Sequence, residues 1–255
     1  MSSISVLEGT VSMVTGASSG IGEATARELA ARGSAVALVA RRTDRLESLA
    51  AQIRADGGTA LAVQTDVTDQ AEATAAVQQV VDELGRLDVL VNNAGVMLLG
   101  PALEAPVDEW ERMVQVNLLG VLYCAKAALP HLLEAAEQDP RRTADLVNVS
   151  SVAGRTVRVG SGVYNATKHA VGAFSESLRQ EVAGRHVRVS LIEPGWVATE
   201  LASHNRPEIL EGMAARFGDM TPLQAEDIAD AIAYIVTRPR HIAINELLVR
   251  PTQQQ

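Results

Sequence analysis

The sequence predicts an α/β fold, a doubly wound parallel sheet covered by helices on both faces, and three observations carry that expectation. Short apolar runs alternate with longer helical stretches along most of the chain. Those runs lack polar alternation, as strands buried on both faces do. A glycine-rich turn follows the first run, where a sheet of this kind opens its ligand crevice. With 255 residues, 47% of them hydrophobic, the chain can fill one large core, so residues 1–255 are expected to form a single domain.

The first strand is Val11-Ser-Met-Val-Thr15, which breaks at once into Gly16-Ala-Ser-Ser-Gly20-Ile-Gly22. A helix from Glu23 to Arg32 follows, with Ile21, Ala24, Thr25 and Leu29 along one side and Gly33 as its stop. Ala35–Ala40 is the second strand and completes a βαβ unit. The pattern repeats: helix Asp44–Ala55 closed by Gly57-Gly58, strand Ala60–Gln64, helix Asp69–Leu84 closed by Gly85, strand Asp88–Val91. A long helical region spans Val107–Glu137, with an interruption expected near Pro130. Gln138–Thr143 reads as an exposed loop, Asp145–Val149 as strand five, the Tyr164 helix as running to Ala183, and Val187–Ile192 as strand six. Regular alternation then lapses. Residues 196–223 are expected to form a functional loop with a short helix near Glu208–Phe217. A helix Ala225–Val236 and a seventh strand Asn245–Val249 end the pattern, and the tail Gln253–Gln255 is expected to fray.

A net charge of -9 argues against nucleic-acid or anionic-membrane partners, because the basic clusters Arg41-Arg42 and Arg141-Arg142 are short. The one cysteine, Cys124, cannot close an intrachain disulfide and reads as a buried thiol. No signal-peptide plan begins the chain, and no apolar run is expected to approach the roughly eighteen residues of a membrane span. A cytoplasmic setting is the expectation, and no metal site is expected.

Gly16, Gly20 and Gly22 allow a backbone to approach a pyrophosphate closely. The helix beyond them offers free N–H groups and the positive end of its dipole, and Ser18 and Ser19 can add hydroxyl donors. The corner after the second strand selects the nucleotide. An acidic residue there binds the ribose hydroxyls of NAD, whereas a basic one accommodates the extra phosphate of NADP. This chain reads Val39-Ala40-Arg41-Arg42, so NADP(H) is expected, with Ala40 leaving space and Arg41 as the main contact.

The chemistry centres on Tyr164-Asn-Ala-Thr-Lys168, where a phenol and an ammonium four residues apart share one helix face. A free phenol has a pKa of about 10, and an ammonium near 4 Å stabilises its anion by roughly 3–4 kcal/mol at intermediate dielectric. Lys168 is therefore expected to lower the Tyr164 pKa. His169 points off that face by about 100° and reads as a packing or surface residue.

The motifs Thr15–Gly22, Asp66-Val67, Asn92-Asn-Ala-Gly95, Asn117, Ser151, Tyr164 with Lys168, and Pro194-Gly195 with Thr199 occur in an order that resembles the short-chain dehydrogenase/reductase family. The resemblance covers almost the whole chain. It implies a Rossmann-type sheet of seven strands in the order 3-2-1-4-5-6-7 and a catalytic set of Asn117, Ser151, Tyr164 and Lys168. Asn117 should kink its helix and hold a water that connects Lys168 to solvent, and Lys168 should also bind the nicotinamide ribose. Ser151 and Tyr164 should donate to a substrate carbonyl. The nucleotide should meet Gly16, Ser18, Ser19, Gly20, Ile21, Gly22, Ala40, Arg41 and Arg42, with Asp66 and Val67 at the adenine. Asn93, Ala94 and Gly95 should shape the adenosine ribose side, and Pro194, Gly195, Val197 and Thr199 should face the nicotinamide amide and the pyrophosphate. By family position, Val96, Met97, Val152, Ala153, Val157, Trp196 and the loop to Met220 should line the substrate pocket. They are largely apolar, which favours a neutral or partly hydrophobic carbonyl or alcohol substrate. The implied activity is NADPH-dependent reduction of a ketone or aldehyde, reversible as an alcohol dehydrogenase. A non-catalytic NADP-binding regulator and an NADP-containing lyase or epimerase are the alternatives on this fold. Val96–Pro101 and Val249–Thr252 resemble the clavulanate-aldehyde reductase and the serine or 3-hydroxy acid dehydrogenase branch. Family members pair through their two long helices, which implies a homo-oligomer, a tetramer or a dimer.

Overall fold

Successive residues of a strand leave on opposite faces, and here both faces lead into apolar core. The computed structural model describes residues 6–138 and 140–254. In the strand Ala35–Ala40, Val36, Leu38 and Ala40 enter one core while Ala37 and Val39 enter the other. That geometry explains the missing polar alternation. In chain order the elements are β1 (Val11–Thr15), α1 (Gly20–Ala31), β2 (Ala35–Ala40), α2 (Thr43–Ala55), β3 (Ala60–Gln64), α3 (Gln70–Leu84) and β4 (Val89–Asn92). Then come α4 (Val107–Val114), α5 (Gly120–Ala135), β5 (Ala144–Val149), α6 (Gly162–Val182), β6 (Val187–Pro194), α7 (Pro207–Phe217), α8 (Ala225–Val236) and β7 (Glu246–Val249).

All seven strands pair in parallel in the order β3-β2-β1-β4-β5-β6-β7. Residues of α3, α5 and α6 fill the core on one face; α1, α2 and α8 fill it on the other. Helix ends follow the chemistry of their residues. Asp69 Oδ1 accepts from the N–H groups of Ala71 and Glu72 to start α3, and Gly85, at φ 85°, ends it in the left-handed region.

The long helical region breaks at a π turn, Gln115–Leu119, where the kink at Asn117 was expected, and the interruption expected near Pro130 is absent, since Pro130 sits inside an unbroken α5. Pro130 removes one N–H, but it and the residue four before it, Lys126, are both exposed, on the side of the helix away from the core. By length and composition Val107–Ala135 could cross a membrane, yet Cys124, Ala125, Ala128 and Leu132 pack into the core between α3 and the sheet. Burial pushes the Cys124 thiol up to about 12.

The tail also differs. Gln253 Oε1 accepts from the Thr221 N–H at 3.0 Å and Gln254 Oε1 from the Trp196 N–H at 2.9 Å, so these two residues are pinned across the base of the 196–223 segment. Gln255 lies outside the described residues. Within that segment Thr199 starts a short 3-10 helix, Glu200–His204, and α7 begins at Pro207.

Candidate active site

Strand order reverses between β1 and β4, and the crevice above their C-terminal ends is where this fold places ligands. Thr15 Oγ1 accepts from the N–H groups of Asn93 and Ala94 at 3.0 and 3.1 Å, and Asn93 Nδ2 donates to the Thr15 carbonyl at 3.0 Å. These bonds stitch the two loops so closely that side chains are excluded. A Cβ on Gly16, at φ +67°, would lie 2.9 Å from Ala94 Cα, and one on Gly22 would lie 2.4 Å from the Gly16 carbonyl oxygen. Ser19 at the start of α1 makes no side-chain cap bond, which leaves the first N–H groups of that helix available to an anion.

A cleft of about 350 Å³ opens over this turn. Every residue expected to meet the nucleotide lines it except Gly22, which is buried beneath. At the far corner Arg41 Nη1 stands 4.0 Å from Asp66 Oδ2. Burial alone would raise the Asp66 pKa, but hydrogen bonds from the Thr68 N–H and hydroxyl, with Arg41, hold it below its ordinary value. Arg42 donates to Ser18 Oγ, Ser19 Oγ and Glu200 Oε2 at 3.1, 2.7 and 2.9 Å.

Ser151, Tyr164 and Lys168 meet at the other end of the same cleft. Ser151 starts a 3-10 turn, Val152–Gly154, while α6 carries Tyr164 and Lys168 on its buried face. Ser151 Oγ accepts from the Ala153 N–H at 3.1 Å and donates to the Pro194 carbonyl at 3.4 Å, and Lys168 Nζ lies 5.8 Å from the Tyr164 ring centre and donates to the Val149 carbonyl at 2.9 Å. The expected lowering of the Tyr164 pKa is not what the protein alone produces. Burial pushes the phenol up to about 12, with only the nearby Ser151 hydroxyl acting downward, and pushes the Lys168 ammonium down to about 8. Desolvation disfavours both charged forms and here exceeds their mutual attraction. His169 is exposed, its Nδ1 bonded to the Asn165 carbonyl.

Asn117 forms the π turn and lies behind the cleft, not in it. Its Oδ1 accepts from the Val96 N–H and its Nδ2 donates to the Val96 carbonyl, both at 2.8 Å, and Nδ2 also reaches Thr167 Oγ1 at 3.3 Å. Gly95 lies between it and Lys168: a Cβ there would come within 3.4 Å of Asn117 Oδ1 and 3.9 Å of Lys168 Nζ.

Of the expected pocket residues, Val96, Met97 and Trp196 line the cleft; Val152, Ala153, Val157 and Met220 do not. Val152 is buried in the wall, Ala153 packs on the cluster containing Tyr164, and Val157 is 76% exposed on the outer surface. The Thr221 N–H beside Met220 is taken by Gln253. The loop expected to line the pocket does so through Glu200, Leu201, Ala202 and His204 of its 3-10 helix, and Val116 from the π turn, which sequence reasoning missed, joins them. A signal for that helix exists, since Thr199 followed by Glu200 has the form of a helix start. The His204 pKa is held below its ordinary value by burial and by Arg112 and Arg42.

Comparison with known proteins matches a family model described as short chain dehydrogenase to residues 10–209. An uncharacterized oxidoreductase of Staphylococcus aureus is 38% identical over 97% of this chain and 100% of its own length. Among solved structures, a serine dehydrogenase complexed with NADP+ superimposes with a TM-score of 0.87 at 34% identity, covering 96% of each chain. A 3-ketoacyl-(acyl-carrier-protein) reductase from Brucella melitensis complexed with NADH gives 0.84 at 31% identity, covering 97% of this chain and 99% of that one.

Proposed function

The chain belongs to the short-chain dehydrogenase family of oxidoreductases, and on that footing we propose that it uses NADP(H) to interconvert a ketone or aldehyde and the corresponding alcohol. The observation that carries this reading is the convergence of Ser151, Tyr164 and Lys168 on the cleft that begins at the glycine turn. NADP(H) fits that cleft: the glycine cradle would be filled by any Cβ, α1 presents uncapped N–H groups, and Arg41 and Arg42 stand where NAD-selective chains need a carboxylate. The relative bound to NADP+ favours this choice, although another neighbour holds NADH.

When bound, the nicotinamide supplies or accepts the hydride. The chain's own groups handle the oxygen and the proton. Ser151 and Tyr164 hold the carbonyl oxygen with two hydroxyl donors and so favour the alkoxide that develops there. Because burial keeps Tyr164 protonated at neutral pH, the phenol is already in the state that gives a proton to that alkoxide. As it does so, the Lys168 ammonium, 5.8 Å from the ring centre, offsets the forming phenolate charge by roughly 3 kcal/mol at an effective dielectric of 20. Asn117 acts at one remove, by fixing the Val96 backbone that forms the cleft wall.

The walls contributed by Val96, Met97, Val116, Trp196 and Leu201 suit a neutral or partly hydrophobic carbonyl. We also propose that the chain works as a homo-oligomer paired through α5 and α6, which size-exclusion chromatography with light scattering tests. For the activity itself, Tyr164→Phe should bind NADPH normally and lose nearly all turnover against a panel of ketones, aldehydes and hydroxy acids. Retained turnover would remove Tyr164 from the chemistry. An Arg41→Ala variant that kept the parent's preference between NADPH and NADH would remove Arg41 from the phosphate contact.

A further inference from the structure

Three arginines, Arg41, Arg42 and Arg45, surround the corner beyond β2, and the Glu200 carboxylate already bridges two of them. Glu200 comes from the 3-10 helix of the 196–223 segment, far away in sequence. Its Oε2 accepts from Arg42 Nη1 at 2.9 Å and its Oε1 from Arg45 Nη1 at 2.8 Å. With its other donors on Ser18 and Ser19, Arg42 has Nε, Nη1 and Nη2 all engaged by protein. Arg41, 63% exposed with only a 4.0 Å approach to Asp66, is the open member of the set. Thr199, next to Glu200, rests on the glycine turn, where a Cβ added to Gly20 would meet Thr199 Cγ2 at 3.1 Å. Glu200 therefore lines the cleft from its roof, in the same space as Arg41 and Arg42.

A carboxylate that bridges two guanidiniums makes the bonds that a phosphate monoester would make. Resting on the NADP(H) reading above, we propose that Glu200 is a specificity-determining residue, an internal competitor that holds Arg42 and Arg45 and so limits the advantage of a nucleotide carrying a 2′-phosphate. Such a phosphate carries close to two negative charges at neutral pH. To be gripped by Arg42 it must release Glu200 or bear its repulsion, whereas a nucleotide with a free 2′-hydroxyl meets neither obstacle. Arg45 first and Arg42 second draw the Glu200 pKa down to about 2, so the carboxylate stays charged across any working pH and only a competing anion displaces it. Both ion pairs are close to half exposed, which sets the scale of the effect as modest.

The test is equilibrium binding of adenosine 2′,5′-bisphosphate and of 5′-AMP by calorimetry to the parent chain and to Glu200→Gln, a variant that keeps shape and removes charge. Release of two exposed ion pairs should raise the preference for the bisphosphate by about tenfold. Affinity for 5′-AMP should not change, and added salt should shrink the difference between the two chains. A preference that is unchanged or reduced in Glu200→Gln overturns the proposal, a reduction meaning that Glu200 preorganises the arginines. The NADP(H) reading fails separately, if the parent binds the two nucleotides equally; a preference that then appeared only in Glu200→Gln would still bear out the competitor role.

Discussion

Replacing Lys168 by Met should abolish turnover and yet make the protein more stable at neutral pH. Lys168 is 6% exposed, and burial lowers its pKa from 10.5 to about 8. At about 1.4 kcal/mol per pH unit, that drop means that holding the ammonium in the fold costs about 3 kcal/mol. Between about pH 8 and pH 10.5 the unfolded chain keeps the proton and the folded chain does not, so unfolding free energy rises with pH across that window. The cost is thus fully present below pH 8 and gone above 10.5. Met fills a similar volume without charge, but it forfeits the bond from Nζ to the Val149 carbonyl, about 1 kcal/mol. The expected net gain is about 2 kcal/mol at neutral pH, fading to nothing or reversing by about pH 10. Urea unfolding followed by tryptophan fluorescence, at neutral pH and again near pH 10, measures both values. A variant less stable than the parent at neutral pH, or a difference that does not move with pH, would refute the claim that the amine is held against its solvation.

Three further outcomes are expected. Gly22→Ala places a Cβ 2.4 Å from the Gly16 carbonyl oxygen and 2.5 Å from Asn93 Nδ2, so thermal melts should report a loss of about 1–3 kcal/mol and titration at least roughly tenfold weaker NADPH binding. Arg155→Met strands Glu193, whose side chain is 2% exposed and whose Oε2 accepts from Arg155 Nε at 2.6 Å; a loss of about 3–5 kcal/mol should follow, and Arg155→Met with Glu193→Gln should recover most of it. The rate of carbonyl reduction should hold level through neutral pH and fall as pH rises through about 8, where Lys168 loses its proton; a profile still level at about pH 9 would mean that the ammonium is not required.

The strands, the glycine cradle and the pairing of Tyr164 with Lys168 on one helix face were legible because each rests on a local rule. A doubly buried strand is apolar throughout, and a turn packed against a neighbouring loop tolerates only glycine. The strand order and the choice of Ser151 over Ser150 came from family resemblance. What the sequence concealed depends on long-range contacts. The break in the helical region lies at Asn117, where family resemblance placed a kink, but its partner was hidden: the Asn117 amide satisfies Val96 N–H and C=O, which nothing in the local pattern around 115–119 encodes, while Pro130, the obvious local signal, is absorbed because it faces outward. Gln253 and Gln254 looked like a polar end and are instead acceptors for Thr221 and Trp196. Which residues of the 196–220 loop face the cleft was not legible: the 3-10 helix after Thr199 puts Leu201 and Ala202 there, while Val157 and Met220 lie outside its lining.

The least predictable quantity was the balance between attraction and desolvation at Tyr164. Spacing on a helix says that a cation is near the phenol; it cannot say how much water both have lost. Burial raises one group and lowers the other, and this cost to stability is inseparable from the chemistry proposed. The Coulomb energy that lets Lys168 steady a forming phenolate is useful only where solvent does not screen it, so the wall that destabilises the resting ammonium also makes it effective. Opening the site to water would relieve Lys168 and weaken it together. On the function proposed, the apolar packing of Val96, Met97 and Val116 around Tyr164 would therefore serve the acid-base step as well as substrate choice.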